Sequence, residues 1–165
     1  MVEIDRLKKF KIFKGLNERE LEAIAKLAKE RTYEAGSRIF EEKALATGLY
    51  LVLEGKVEVK TRGKGSEQIV IDEVGPGRIF GWSAVTEPYT FTAATWTVEQ
   101  SKVIILDGRK LRDLFANNNH IGFRVVKEVA AVISGRLKRM EAKFIEIVCN
   151  ENKSEGVEKS KQEIK

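Results

Sequence analysis

The sequence predicts a mainly β fold with flanking helices, in the α+β class, on three observations. Between residues 31 and 106, short stretches rich in aliphatic, aromatic and Thr residues alternate with Gly- and Pro-containing breaks. A helical pattern precedes this region. A longer helical pattern comes after it, and that one carries a heptad seam.

The first helix starts at Asn17, whose side chain can cap while Glu20, three residues on, supports it in return. Leu21, Ile24, Ala25, Leu27 and Ala28 then recur at helical spacing, which carries the expected helix to about Glu30. Upstream, Phe10, Phe13 and Leu16 suit a short helical turn packed on the body. Strands are expected at 39–40, 49–53, 56–60, 68–71, 91–98 and 103–106. Pro76 and Gly77 suit positions i+1 and i+2 of a type II turn, where Gly accepts positive φ. Many short strands at regular spacing point to an antiparallel sandwich, roll or barrel.

After the strands, Leu111, Leu114 and Phe115 mark a short helix, and the run Asn117-Asn118-Asn119 breaks it, with Asn119 a candidate cap for the next helix. Val126, Ala130, Ile133, Leu137, Met140, Phe144 and Ile147 then alternate in steps of four and three. Such an a/d seam over three heptads favours a paired, supercoiled helix, so these seven residues are the expected dimerisation surface. Val125, Val129 and Val132 widen the stripe in the first half, which is therefore expected to pack on the body as well. Beyond Met140 the flanks are charged, and the remaining narrow seam calls for a partner helix. Residues 149–165 are charged and almost without apolar side chains, so a disordered tail is expected there.

Composition narrows the class. The 165 residues are 42% hydrophobic and 33% charged, ordinary for one globular domain. No apolar run approaches the ~20 residues that span a bilayer, and the start does not resemble a signal peptide, so a cytoplasmic protein without membrane partners is expected. The formal net charge of +5 is compatible with acidic partners and equally with a well-solvated surface. His120 and Cys149, the sole histidine and sole cysteine, fall at opposite ends of one expected helix, about 40 Å apart at ~1.5 Å per residue. No metal cluster, Ser-His-Asp triad or Cys-His pair can be assembled from them, and an enzyme is not expected. Gly63-Lys64-Gly65-Ser66 lacks the upstream glycine of a phosphate loop and reads as a hairpin tip.

The run 48–59, GLYLVLEGKVEV, resembles the first signature of the cyclic-nucleotide-binding domain family, which includes the catabolite-activator regulators and the regulatory subunits of cyclic-nucleotide-dependent kinases. Residues 13–16, the helix from Asn17, and 34–40 look like that family's lead-in segment, and the resemblance covers about residues 7–148. It implies a double-stranded β-helix, or jelly-roll β-roll, at about 31–106, with an N-terminal helix and C-terminal helices at about 108–148, the last of them long and dimer-forming. The domain then comprises 1–148 and the tail 149–165.

The family's second signature is a phosphate-binding cassette. It opens with Phe-Gly-Glu and a small residue at a short helix, and closes with Arg-Ala or Arg-Ser on the next strand. In the family the Glu binds the ribose hydroxyl, and the Arg pairs with the cyclic phosphate of cAMP or cGMP. Here the cassette reads Phe80, Gly81, Trp82, Ser83, Ala84, Val85, then Thr92 and Ala93. Trp82 stands in place of the Glu and Thr92 in place of the Arg. Lys43 and Ala44 occupy a turn that is usually Gly followed by an acidic residue. Thr92 offers one neutral hydroxyl in place of a bidentate cation, so binding of cAMP or cGMP by the usual contacts is not expected. The resemblance implies a regulatory module, with three states of the pocket open: closed by Trp82, holding a more apolar effector against Trp82 and Trp96, or binding a nucleotide weakly. About 16 residues come after Cys149, too few for the helix-turn-helix domain of catabolite-activator relatives, so DNA binding by this chain alone is not expected. A protein partner remains open.

Overall fold

The computed structural model describes residues 2–65 and 67–162, with side chains through residue 150. Two compact units divide the chain, Met1–Ala130 and Ala131–Lys165. The first holds α1 (Ile4–Leu7), a 3-10 turn (Lys11–Phe13), α2 (Glu18–Ala25), eight strands and α3 (Gly108–Asn117). Helix α4 (Asn119–Gln162) begins in the first unit and supplies the second.

The capping box at the start of α2 is complete: Asn17 Oδ1 accepts from the Glu20 amide, and Glu20 Oε2 accepts from the Asn17 amide. The helix ends at Ala25, five residues before the expected stop, because β1 (Ala28–Tyr33) starts there. Ala-Lys-Glu at 28–30 suits a helix locally. Pairing with β8 (Ser101–Asp107), in the register Ala28 to Leu106 and Glu30 to Ile104, overrides that preference.

The strands form two antiparallel four-stranded sheets, a jelly-roll sandwich as expected. One sheet has the order β1-β8-β3-β6, with β3 at Gly48–Glu54 and β6 at Ile79–Phe80. The other has the order β2-β7-β4-β5, with β2 at Arg38–Phe40, β4 at Val57–Arg62, β5 at Gln68–Val74 and β7 at Ala94–Thr97. Gly77 has φ +80, and the Arg78 amide donates to the Gly75 carbonyl, closing the turn read from Pro76-Gly77.

Both faces of β3 are buried. Leu49 and Leu51 pair with Leu106 and Ile104, and α3 packs on β3 and β8. Tyr50 faces the other way, into the roll, where four rings cluster: Phe40 stacks on Phe91 at 3.7 Å, Tyr50 stacks on Phe80 at 4.9 Å, and Phe40 lies tilted against Tyr50 at 5.3 Å between centroids. Aromatic pairs of this kind each contribute about 0.5–1.5 kcal/mol beyond area burial.

Asn118, not Asn119, caps α4: its Oδ1 accepts from the Ile121 amide. Ile121, Val125 and Val129, four apart, form the buried face of the helix in the first unit. A polar row at the same spacing holds the N-terminal segment. His120 Nδ1 meets Glu20 Oε1 at 2.6 Å, Arg124 donates to the Lys14 carbonyl at 2.6 Å, and Glu128 pairs with Lys11 at 3.4 Å.

The backbone of α4 continues through Gln162, and residues 163–165 of the expected tail lie outside the described residues.

Candidate functional site

The cassette's short turn packs against β3 and α3. Phe80 closes β6 and is fully buried in the ring stack. Gly81 comes next at φ +74, a left-handed conformation that glycine adopts without strain. A Cβ there would also lie 2.8 Å from the Tyr50 ring and 3.0 Å from the Gly48 carbonyl, so the position demands glycine twice over. The 3-10 turn Trp82–Val85 comes after it, and its Ala84 amide donates back to the Gly81 carbonyl at 3.1 Å.

Within that turn, Ser83 and Ala84 are buried, while Trp82 and Val85 are half-buried. The Trp82 carbonyl accepts from the Thr86 hydroxyl at 3.4 Å. Ala84 is small of necessity. Gly108, first residue of α3, approaches so closely that a Cβ on it would meet the Ala84 Cβ at 3.0 Å.

The chain returns to β7 along residues 43–46. The Lys43 amide donates to the Phe91 carbonyl, the Phe91 amide to the Ala44 carbonyl, and the Ala46 amide to the Tyr89 carbonyl. Leu45 and Thr90 form a β-bridge between these bonds. The structure thus brings together three positions that depart from the resemblance: Lys43, Ala44 and, one residue beyond Phe91, Thr92. Thr92 is exposed, and Ala93 is buried. Lys43 has φ +68, in the left-handed region where the usual glycine would sit without strain.

Electrostatics around the cassette are sparse. Arg78, which could approach an anion from another side, pairs with Asp72 at 3.6 Å and donates to the Glu73 carbonyl. Arg112 of α3 donates to the Ala84 carbonyl at 2.6 Å and lies 4.2 Å over the Tyr89 ring. Arg112 carries no local signal because its contacts, Ala84 and Tyr89, lie in a distant segment.

One inward polar group stands out. Thr95 is fully buried on β7, and its Oγ1 has no hydrogen-bond partner among the described residues. It pairs in register with Phe40 and Val59, which puts it on the ring-lined inner face. Trp96, its neighbour in the strand, faces outward beneath Arg38, whose guanidinium is 5.4 Å from the ring. Trp96 therefore does not line the interior as the apolar-effector reading expected.

The expected dimerisation residues share one side of α4 at heptad spacing. Val126 is 43% exposed in the first unit. In the second, Leu137 is 56%, Met140 44%, Phe144 68% and Ile147 57% exposed. Ala130 is exposed as well, and Ile133 half-buried. Among the described residues, no three His, Cys, Asp or Glu side chains are placed to hold a metal ion, and no helix is long and apolar enough to cross a membrane.

Comparison with known proteins adds the family. The cyclic nucleotide-binding domain model matches residues 30–118. A crystal structure from Geobacter metallireducens, described as a cyclic nucleotide-binding protein, superposes with a TM-score of 0.75 at 33% identity, covering 83% of this chain and 99% of that one. The catabolite activator protein of Thermus thermophilus has a TM-score of 0.66 at 24% identity, over 81% of this chain and 61% of its own, and speaks for the fold. A CRP-like cAMP-activated global transcriptional regulator of Mycobacterium tuberculosis is 22% identical over 137 residues, 83% of this chain. The chain spans 59% of that relative's length.

Proposed function

The chain belongs to the cyclic nucleotide-binding domain family, and from that premise we propose that it is a non-enzymatic cytoplasmic regulatory module. It acts as a homodimer through α4, and it does not hold cAMP or cGMP by the family's charged contacts. The observation that carries this reading is the clustering of departures at one place. Thr92 replaces the phosphate-binding arginine, and Ala44, which replaces the acidic residue of the neighbouring turn, is hydrogen-bonded to Phe91 beside it. Trp82 replaces the ribose-binding glutamate at the first position of the cassette's 3-10 turn.

Removing one partner of a buried charge pair costs about 2–5 kcal/mol, roughly 30- to several-thousand-fold in affinity. The two nearby guanidiniums do not make up the loss. Arg78 is engaged with Asp72, and Arg112 with Ala84 and Tyr89. Calorimetric titration with cAMP and with cGMP tests the reading. No heat of binding is expected at micromolar nucleotide. Micromolar association with either nucleotide, lost on substitution at Trp82 or Thr92, would overturn it.

A second reading keeps the pocket in use for a different, uncharged and largely apolar effector. Thr95 favours it: a buried hydroxyl without a partner, on a face lined by Phe40, Tyr50, Phe80 and Phe91. An effector that bonds this hydroxyl would raise the melting temperature of the wild type but not of Thr95→Val.

A further inference from the structure

Along one face, α3 meets both the cassette and α4. Gly108 and Arg112, four residues apart, lie on one face and close on the same residue of the cassette, Ala84. Gly108 meets its side chain so closely that an added Cβ would come within 3.0 Å, and Arg112 Nη1 donates to its carbonyl at 2.6 Å. The guanidinium is charged, so this bond is of the stronger, charge-assisted kind. Its flat face also rests 4.2 Å from the centroid of Tyr89, in the segment that leaves the cassette. Tyr89 is held in turn: its amide donates to the Thr86 carbonyl and its carbonyl accepts from Ala46. Three residues beyond Arg112 and on the same face of α3, Phe115 packs against Gly122 of α4, where an added Cβ would lie 3.1 Å from the Phe115 Cβ.

We propose that Arg112 is a positioning residue that ties the placement of α3 to the end of the cassette. The carbonyl of Ala84 and the ring of Tyr89 belong to different parts of the cassette segment, before and after Thr86. A guanidinium can hold both at once because it is planar and offers several donors. A lysine ammonium can satisfy the carbonyl but has no flat face to lay on the ring. Displacement of either part would strain or break the tie, and α3, through Phe115, would carry the change to the first turns of α4. The role of such a change in signalling rests on the regulatory reading above. The tie itself does not.

Hydrogen–deuterium exchange of the full chain, without any effector, tests it for wild type, Arg112→Met, Arg112→Lys and Tyr89→Leu. Because no ligand is involved, the outcome is independent of what the pocket binds. Loss of a bond to a charged group is expected to speed exchange about tenfold. In Arg112→Met this should appear in residues 81–89 and in α3 together, with β1 and β8 changed less than about twofold. Arg112→Lys should recover a substantial part of the protection in both segments. Tyr89→Leu should loosen both, less than Arg112→Met does. Should Arg112→Met not fold, the Lys and Leu variants carry the test. Faster exchange in α3 with an unchanged cassette, or a lysine variant as labile as the methionine variant, would overturn the proposal.

Discussion

The Phe91 amide donates to the carbonyl oxygen of Ala44 at 2.9 Å, and this bond sets the lost acid of one turn beside the lost cation of the next. A carboxylate at 44 and a guanidinium at 92 would lie within reach of one another. Their joint replacement by Ala and Thr removes opposite charges from one spot and leaves no unpaired partner behind. Neither loss alone would be so quiet, because a single orphaned charge in a partly desolvated site is costly.

Restoring the charges should therefore restore the family's ligand. A Trp82→Glu, Thr92→Arg variant is expected to bind cAMP at least about a hundredfold tighter than the wild type, from two recovered charged contacts of ~2 kcal/mol or more each. Thr92→Arg alone should gain less, and adding Ala44→Asp to the double variant should help by holding the new guanidinium in place. Calorimetry checks this. No gain in the triple variant would mean that the aromatic rings, and not the missing charges, keep the nucleotide out.

Acid should loosen the N-terminal segment. Burial alone would raise the pKa of Glu20, but hydrogen bonds from His120 and the Asn17 amide, with the His120 charge, bring it below its ordinary 4.5. A carboxylate lowered on folding contributes stability that is present above about 4.5 and is lost as pH falls through the folded value. The urea midpoint of the wild type is expected to drop between about pH 5 and pH 3. Glu20→Gln should be less stable at neutral pH and lose part of that slope. An unchanged slope would remove Glu20 from the acid response.

How legible each feature is in the sequence depends on where its signal resides. The capping box at Asn17 and Glu20, the turn at Pro76-Gly77 and the cassette from Phe80 to Val85 are runs of neighbours, so their chemistry is written locally. The end of α2 is not. Residues 28–30 favour a helix on their own and become strand only because β8 is beside them, more than seventy residues downstream. The tie between Arg112 and Ala84 spans 28 positions and depends on the cassette turning so that one carbonyl faces α3. The unpartnered Thr95 hydroxyl needed the strand register before its face was known.

At Gly81 the backbone itself can be probed. Alanine would be held at φ +74 with its Cβ 2.8 Å from the Tyr50 ring and 3.0 Å from the Gly48 carbonyl. The ring can give way, but the carbonyl belongs to a central strand and cannot. Left-handed strain and crowding together should destabilise Gly81→Ala by about 2–3 kcal/mol. Gly36→Ala is the comparison, since its φ is +75 but nothing lies within 4 Å of an added Cβ. It should lose only about 1 kcal/mol. Equal losses in urea melts would show that crowding at the cassette is relieved at no expense.

The last prediction concerns α4. Leu137 and Phe144 are seven residues apart, with Met140 and Ile147 between and beyond them, and all four are at least 44% exposed within one chain. A row of large apolar side chains at heptad spacing is unfavourable in water and becomes a seam when a second helix covers it. The claim is positional, so it can be separated from a general taste for apolar surface. Ile145 is 61% exposed, barer than three of the four, but stands one place off the row. Leu137→Lys with Phe144→Lys changes four seam positions per dimer, each worth roughly 1.5–3 kcal/mol when buried, and should weaken association by more than about a thousandfold. Ile145→Lys should change it less than about tenfold. Sedimentation equilibrium at micromolar chain concentration reads both. A wild type that stays monomeric there, or an Ile145→Lys variant that dissociates as readily as the seam variant, would mean that α4 does not pair along this row.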